Sequence, residues 1–145
     1  MKIALVSSVG GHLTDLVALR DAFAGAERVW ILNDRSPVLP KGERAYVVSH
    51  AERDLRVLWN LFEFAAILSR EAPDVIVSAG AGPAVPAAVI ARIARVPFVY
   101  VECSCAVTKL TMTGRLMRPL ARRFYVQWEG LKQAAPWATY AGGVL

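Results

Sequence analysis

Ser7-Ser8-Val9-Gly10-Gly11-His12 follows directly on the apolar run Ile3-Ala4-Leu5-Val6, and Leu13, Leu16, Val17 and Leu19 come next at helical spacing. A buried strand that turns through paired glycines into a helix reads as the first βα unit of a nucleotide-type α/β fold. Glycines let the backbone approach a ligand closely, and the N–H groups of a first helical turn, at the positive end of the helix dipole, favour an anion such as phosphate. His12 stands at that helix start. The turn is not the dinucleotide fingerprint, because G-x-G-x-x-G requires a third glycine near Leu13 or Thr14. Paired glycines also serve as plain tight connections, so the turn alone does not assign a function.

Outward from this turn, strands and helices alternate. The helix runs from about Thr14 to Ala24, and strands are expected at Arg28 to Leu32 and Ala45 to Val48. A long helix is expected from Glu52 to Arg70, stopped near Pro73, and a strand from Asp74 to Ser78. A helix over Ala84 to Ala94, a strand over Phe98 to Val101, a basic helical segment between about Thr113 and Arg122, and a strand at Phe124 to Val126 complete the series. Strands apolar throughout and separated by helices imply a parallel sheet covered on both faces. The expected architecture is therefore α/β, a Rossmann-like doubly wound parallel sheet of about six strands in a single domain over residues 1–145. Ligands in such folds bind beyond the carboxyl ends of the strands.

Hydrophobic residues make up 55% of the 145 positions and charged residues only 20%, with a mean hydropathy of +0.38. That much apolar surface calls for a cover, either a partner chain or a membrane. The net charge of +5 suits anionic lipid, a phosphorylated substrate or nucleic acid without choosing among them. The apolar run after Lys2 is too short for a signal peptide, and Val75 to Ala91 is broken by Gly80, Gly82, Pro83 and Pro86, which argues against a spanning helix. The expected location is the cytoplasm, peripheral on the inner membrane face. Cys103 and Cys105 have no second pair to complete a zinc site, so reduced, partly buried thiols and no metal are expected.

A second small-residue turn, Ser78-Ala79-Gly80-Ala81-Gly82-Pro83, repeats the logic of the first on another strand, and together the two can grip a diphosphate, although small residues there also permit close strand-to-helix packing. In the long helix, Arg56, Asn60 and Glu63 mark one narrow polar face. Core burial accounts for Leu58, Leu61, Phe62 and Ala65 and less well for Trp59 and Phe64, so this helix is either buried on most sides or lies against lipid or another chain. Arg115, Arg118 and Arg122 fall at i, i+3 and i+7, one side of a helix, with Lys109 nearby, and suit lipid headgroups or a lipid-linked diphosphate at about 1 kcal/mol per basic residue near an anionic surface. His50 reads as a loop residue before a helix. No G-x-S-x-G elbow, P-loop or H-x-x-x-H pair is present, leaving His12 as the candidate base.

The glycine-glycine-histidine turn, the S-A-G-A-G-P-A-V-P stretch from Ser78 to Pro86, Val101-Glu102, the block Leu110 to Arg115 and F-Y-V-Q-W from Phe124 to Trp128 together resemble the short subunit of two-chain glycosyltransferases. That family includes the eukaryotic membrane-recruiting subunit of the enzyme adding the second N-acetylglucosamine to dolichol diphosphate, and bacterial PssD-like exopolysaccharide and capsule proteins. The resemblance implies the N-terminal, acceptor-side half of a GT-B glycosyltransferase. A separate polypeptide would bind the UDP-sugar, no cofactor would sit on this chain, and this chain would be inactive alone.

It further implies His12 and Glu102 as catalytic residues, base and orienter respectively. Ser8, Gly10, Gly11, His12, Gly80 and Gly82 would contact the diphosphate of a polyprenyl-linked acceptor, and Lys109, Arg115, Arg118 and Arg122 the membrane or lipid phosphate. The tail from about Trp137 to Leu145, with Trp137, Tyr140, Val144 and Leu145, would dock on the partner. At Ala106, four residues after Glu102, relatives often carry arginine. A different class remains open, a stand-alone nucleotide- or cofactor-binding Rossmann domain in which Asp34, about 20 residues past the glycines, would hold a ribose. A nucleic-acid-binding reading has the charge but no recognition signature, and no nucleic-acid partner is expected.

Overall fold

The computed structural model describes residues 1–34, 39, 42–49 and 56–144, the last stretch without the side chains of 56–58; His50 and Leu145 lie outside the described residues. The apolar runs form strands β1 (Lys2–Ser7), β2 (Glu27–Leu32), β3 (Arg44–Val47), β4 (Val75–Ser78), β5 (Phe98–Val101) and β6 (Arg123–Val126). A two-residue strand β7 (Thr139–Tyr140) pairs with β6 inside the expected docking tail. All pairings are parallel, in the order β3-β2-β1-β4-β5-β6-β7. The α/β doubly wound class is as expected, with one short edge strand added. Two residues carry no periodicity signal, and β7 becomes visible only through its partner.

Helices α1 (Gly11–Ala18), α2 (Arg56–Glu71), α3 (Ala84–Ala94) and α4 (Met112–Met117) fill the connections. α1 is shorter than expected and hands over to a 3-10 turn, Arg20–Phe23. One face of the sheet is covered by α2, α3 and α4, whose Phe64, Leu68, Ala87, Ala91 and Met117 join Val6, Ile76, Tyr100 and Phe124 in a shared core. On the other face α1 seats Leu13 and Leu16 against Leu5, Trp30 and Leu32. Each such large apolar side chain contributes roughly 1.5–3 kcal/mol relative to exposure.

Among the described residues, helical cover of that second face ends with α1 and the 3-10 turn. Across β1, β4, β5 and β6 the outward side chains Ile3, Val75, Val77, Val99, Val101 and Tyr125 line a cavity of about 570 Å³, closed along one side by residues 141–144. The sheet is thus covered fully on one face and in part on the other.

α2 is turned over relative to its sequence reading. Asn60 is 5% exposed and Phe64 fully buried, whereas Trp59 is 62% and Phe62 71% exposed. Glu63 accepts from the Ser49 N–H at 3.1 Å and its hydroxyl at 2.9 Å. Asn60 and Glu63 therefore flank the core, and Trp59 and Phe62 face out. α4 is shorter than expected, because Pro119 cannot continue a helix. The backbone tightens after Met117, whose carbonyl accepts from Leu120 and Ala121. The i+7 relation of Arg122 to Arg115 is consequently lost.

At the amino edge of the sheet, Glu71 on α2 accepts from Tyr46 Oη, Lys2 Nζ at 3.1 Å and Arg44 at 2.8 Å. The Tyr46 hydrogen bond, ahead of those from Lys2 and Arg44, lowers the Glu71 carboxyl to about 2. Its folded value lies below the unfolded one, so the network stabilises the protein at neutral pH, and that contribution is lost as pH falls from about 4.5 through about 2. Glu71→Gln is expected to cost about 2 kcal/mol near neutral pH, with the gap to the parent narrowing toward about pH 3, as read by denaturant unfolding at both conditions.

Candidate active site

β1 delivers the glycine turn at the carboxyl edge. Gly10 takes φ +102°, a left-handed conformation suited to glycine, and its carbonyl accepts from Thr14 N at 3.1 Å to start α1. The first N–H groups of α1 then have no acceptor within their own helix. Asn33, just past β2, fixes the turn by accepting from Val9 N at 2.9 Å, and the half-buried Ser8 accepts through its carbonyl from the Ser7 hydroxyl at 2.8 Å. Gly10 and Gly11 are exposed.

The half-buried His12 ring reaches the second glycine turn. Its Nδ1 lies 3.0 Å from the Ala79 carbonyl. A carbonyl only accepts, so Nδ1 is the nitrogen that carries a proton, and in the neutral ring the lone pair is on Nε2. That is the tautomer a general base on an incoming hydroxyl requires.

Gly80 makes this contact possible. It sits at φ +112°, and a Cβ there would come within 2.9 Å of Tyr100 Oη and 3.3 Å of His12 Nδ1. Its N–H donates to the buried Ser78 hydroxyl at 3.2 Å. Gly80→Ala is expected to cost about 2 kcal/mol through backbone strain and to displace the imidazole. The measurements are denaturant unfolding and the transfer rate, with the rate falling further than stability accounts for. Gly82 is exposed, two residues before α3 begins.

Glu102, at the end of β5, is fully buried. Its carboxylate accepts from Cys103 N at 3.0 Å, Thr111 N at 3.2 Å, the Thr111 hydroxyl at 2.8 Å and Tyr100 Oη at 3.4 Å. Both of its oxygens are engaged by the loop and by α4, an arrangement that suits the orienting part expected of Glu102. Burial, then the Glu102 charge, push the Tyr100 hydroxyl well above its usual range, so it stays protonated and donating.

Around this carboxylate lie residues that periodicity could not single out. Thr111 caps α4 by accepting from Gly114 N at 3.0 Å, and a Cβ on Gly114 would overlap the Glu102 carboxylate. Buried Asp15 on α1 accepts from Ser104 N at 3.0 Å, and Trp128 Nε1 donates to the Ser104 carbonyl at 2.6 Å. A threonine at the start of a short helix is a capping signal in general, and Thr111 fills that place here. Cys103 and Cys105, expected as reduced thiols, are disulfide-linked here, since the loop beyond β5 leaves strand geometry and brings their Cα atoms to 5.2 Å. Ala106 packs into the core.

The basic set divides. Lys109 and Arg115 are exposed near the carboxyl edge. Arg118 lies over the Trp137 ring at 5.1 Å, and Trp137 meets Phe124 edge-on at 4.8 Å, so a residue expected on lipid and one expected on the partner pack on each other. Arg122 is at the opposite edge, donating its N–H to Phe98 O and lining a cavity with Arg92 and Arg95. Tyr140 is exposed in β7, and Val144, which donates its N–H to Gln127 Oε1 at 3.1 Å, lines the apolar cavity. Asp34 follows β2 at the carboxyl edge. Among the described residues no cluster of His, Cys, Asp and Glu is arranged to hold a metal ion, and no helix is long and apolar enough to cross a membrane.

One parallel sheet with its glycine turns and histidine at the carboxyl edge is the architecture of a GT-B-type N-terminal half. Solved chains of that fold superpose on it: MurG of Acinetobacter baumannii (TM-score 0.74, 14% identity, 90% of this chain and 43% of that one) and UDP-N-acetylglucosamine 2-epimerase of Rickettsia bellii (TM-score 0.77, 10% identity, 99% and 45%). This chain spans less than half of either. The family model described as oligosaccharide biosynthesis protein Alg14 like matches residues 44–144, and the chain belongs to that family. The human UDP-N-acetylglucosamine transferase subunit ALG14 is 25% identical over 183 residues, covering all of this chain and 83% of the human one. The Candida albicans subunit of that name is 35% identical over 88 residues, covering 56% of this chain and 40% of its own. The family resemblance and the α/β architecture read from the sequence are both borne out, and a glycosyltransferase subunit agrees with the names these relatives carry.

Proposed function

We propose that this chain is the acceptor-side subunit of a UDP-N-acetylglucosamine-dependent transferase in lipid-linked oligosaccharide or related polysaccharide (capsule or exopolysaccharide) biosynthesis. It would hold a polyprenyl-diphosphate-linked sugar at the cytoplasmic membrane face. One observation carries the reading: the human relative, matched over 83% of its length, is named a subunit of a UDP-N-acetylglucosamine transferase, and the fold they share with MurG carries His12 at its carboxyl edge.

In the reaction the acceptor hydroxyl oxygen forms a bond to C1 of the donor sugar as the bond from C1 to the UDP oxygen breaks, and the hydroxyl proton passes to His12 Nε2. The N–H groups at the start of α1 and the Gly10-Gly11 backbone bind the acceptor diphosphate. The Ala79 carbonyl, which the ring reaches past Gly80, orients the imidazole through its Nδ1–H, and Glu102 fixes the loop behind them.

The second subunit carries the UDP-sugar. Its apolar segment fills the cavity over β4 to β6, which accounts for the chain's apolar excess and uses Val144 as a rim. Deleting residues 141–145 is expected to weaken co-purification with that subunit by about tenfold or more; undiminished complex formation contradicts this docking site. Transfer is tested by mixing the purified subunits with UDP-N-acetylglucosamine and a polyprenyl-diphosphate sugar: product forms from the pair and from neither alone.

A further inference from the structure

Cys103 and Cys105 form a disulfide in the loop that follows β5, at the carboxyl edge of the sheet. The two sulfurs differ in access, because Cys103 is buried and Cys105 exposed. Both ends of the loop are anchored without the crosslink. Cys103 N donates to Glu102 at 3.0 Å, and Ala106, whose N–H donates to the Cys103 carbonyl at 2.9 Å, packs in the core. Ser104 and Cys105 between them are the part that can change shape. Ser104 N donates to Asp15 on α1, and the Ser104 carbonyl accepts from Trp128 Nε1. Asp15 lies three residues after His12 and is fully buried, and its Oδ1 has no hydrogen-bond partner among the described residues.

A buried carboxylate oxygen without a donor is costly, and it would pair with water once Ser104 moved off. The closed loop is therefore an arrangement that something must hold. The crosslink spans too few residues to act chiefly on the unfolded chain, so its effect is on local shape. We propose that Cys103 and Cys105 are a thiol–disulfide exchange site for a dithiol. As the disulfide, the pair keeps Ser104 on Asp15 and Trp128; as the dithiol, it releases Ser104, and α1 loses an anchor one turn from His12. A thiolate of the reductant attacks Cys105 Sγ, the S–S bond breaks, and Cys103 Sγ leaves as a thiolate next to the Cys105 N–H, which already donates to it at 3.3 Å. The second thiolate of the reductant then displaces Cys105 Sγ. The pair takes up two electrons and two protons and the reductant departs as its own disulfide; glutathione disulfide, as oxidant, runs the exchange back. The effect on transfer rests on the reading of His12 as the base, and the exchange itself does not.

The test uses the full chain equilibrated with glutathione disulfide or with dithiothreitol. Alkylation after quenching in denaturant, read by intact mass, is expected to label neither cysteine and show no glutathione adduct in the first state, and to label both cysteines in the second. The Trp128 indole N–H resonance, assigned by its loss in Trp128→Phe, is expected to shift between the two states while the melting temperature stays close to constant. With the second subunit added, the reduced chain is expected to transfer about tenfold more slowly, the size of effect that a slightly misplaced catalytic group gives. Cys105→Ser, at an exposed position, transfers at the reduced rate whatever the reagent. Two labelled cysteines or a lasting glutathione adduct after the oxidant overturn the site. An exchange that leaves the Trp128 resonance in place overturns the release of Ser104. Equal rates in the two states, or a response to dithiothreitol that persists in Cys105→Ser, overturn the coupling to α1. If the assembled pair gives no transfer in either state, the acceptor-side reading fails, and the labelling and the Trp128 shift still decide the exchange site.

Discussion

His12→Ala is expected to reduce transfer by the assembled enzyme about a hundredfold or more, the usual share of a general base, while the two subunits still co-purify. The ring is half-buried and makes one hydrogen bond of note, from Nδ1 to the Ala79 carbonyl. Its removal leaves the carbonyl of buried Ala79 without this donor, so the fold is expected to lose about 1–3 kcal/mol. Rate loss and stability loss are separable, by initial rates at saturating acceptor and by the melting temperature. A rate equal to the parent's would return the turn to a structural role and assign the proton to another group.

Glu102→Ala has the larger effect on the fold, expected at about 3–5 kcal/mol, the range for breaking a buried, fully hydrogen-bonded charge site. The substitution strands the N–H groups of Cys103 and Thr111 and the hydroxyls of Thr111 and Tyr100, and it opens a void beneath Gly114. Glu102→Gln keeps the shape and one acceptor oxygen and should recover part of the loss. The comparison is made by denaturant unfolding of the three proteins. Equal stability of the alanine variant and the parent would contradict a positioning role.

These residues also show how far the sequence is legible. β1, β4 and β5 are apolar at nearly every position, which only a sheet buried on both sides explains, so the order of elements follows from pattern alone. The glycine turns are legible because a positive φ at Gly10 and Gly80 requires that residue type. α2 is not legible in the same way. Trp59 and Phe62 are apolar, and periodicity finds the apolar arc without saying whether a core or a foreign surface will cover it. α4 fails for a local reason, Pro119, which is visible in the sequence but outweighed there by the arginine spacing. The network of Asp15, Tyr100, Glu102, Thr111 and Gly114 is a set of contacts between separate elements, and no spacing rule encodes those. The cavity over β4 to β6 likewise exists only once the sheet is built and its helical cover is found to end.

The central claim is that this chain is the acceptor half. It is tested most directly by titrating the isolated chain with a short-chain prenyl-diphosphate sugar and, separately, with UDP-N-acetylglucosamine in a calorimeter. The account predicts binding of the prenyl diphosphate, weakened by substitutions at Gly10 and Gly11, and no heat from the nucleotide sugar until the second subunit is added. Saturable binding of UDP-N-acetylglucosamine to this chain alone, with none of the prenyl diphosphate, would contradict it.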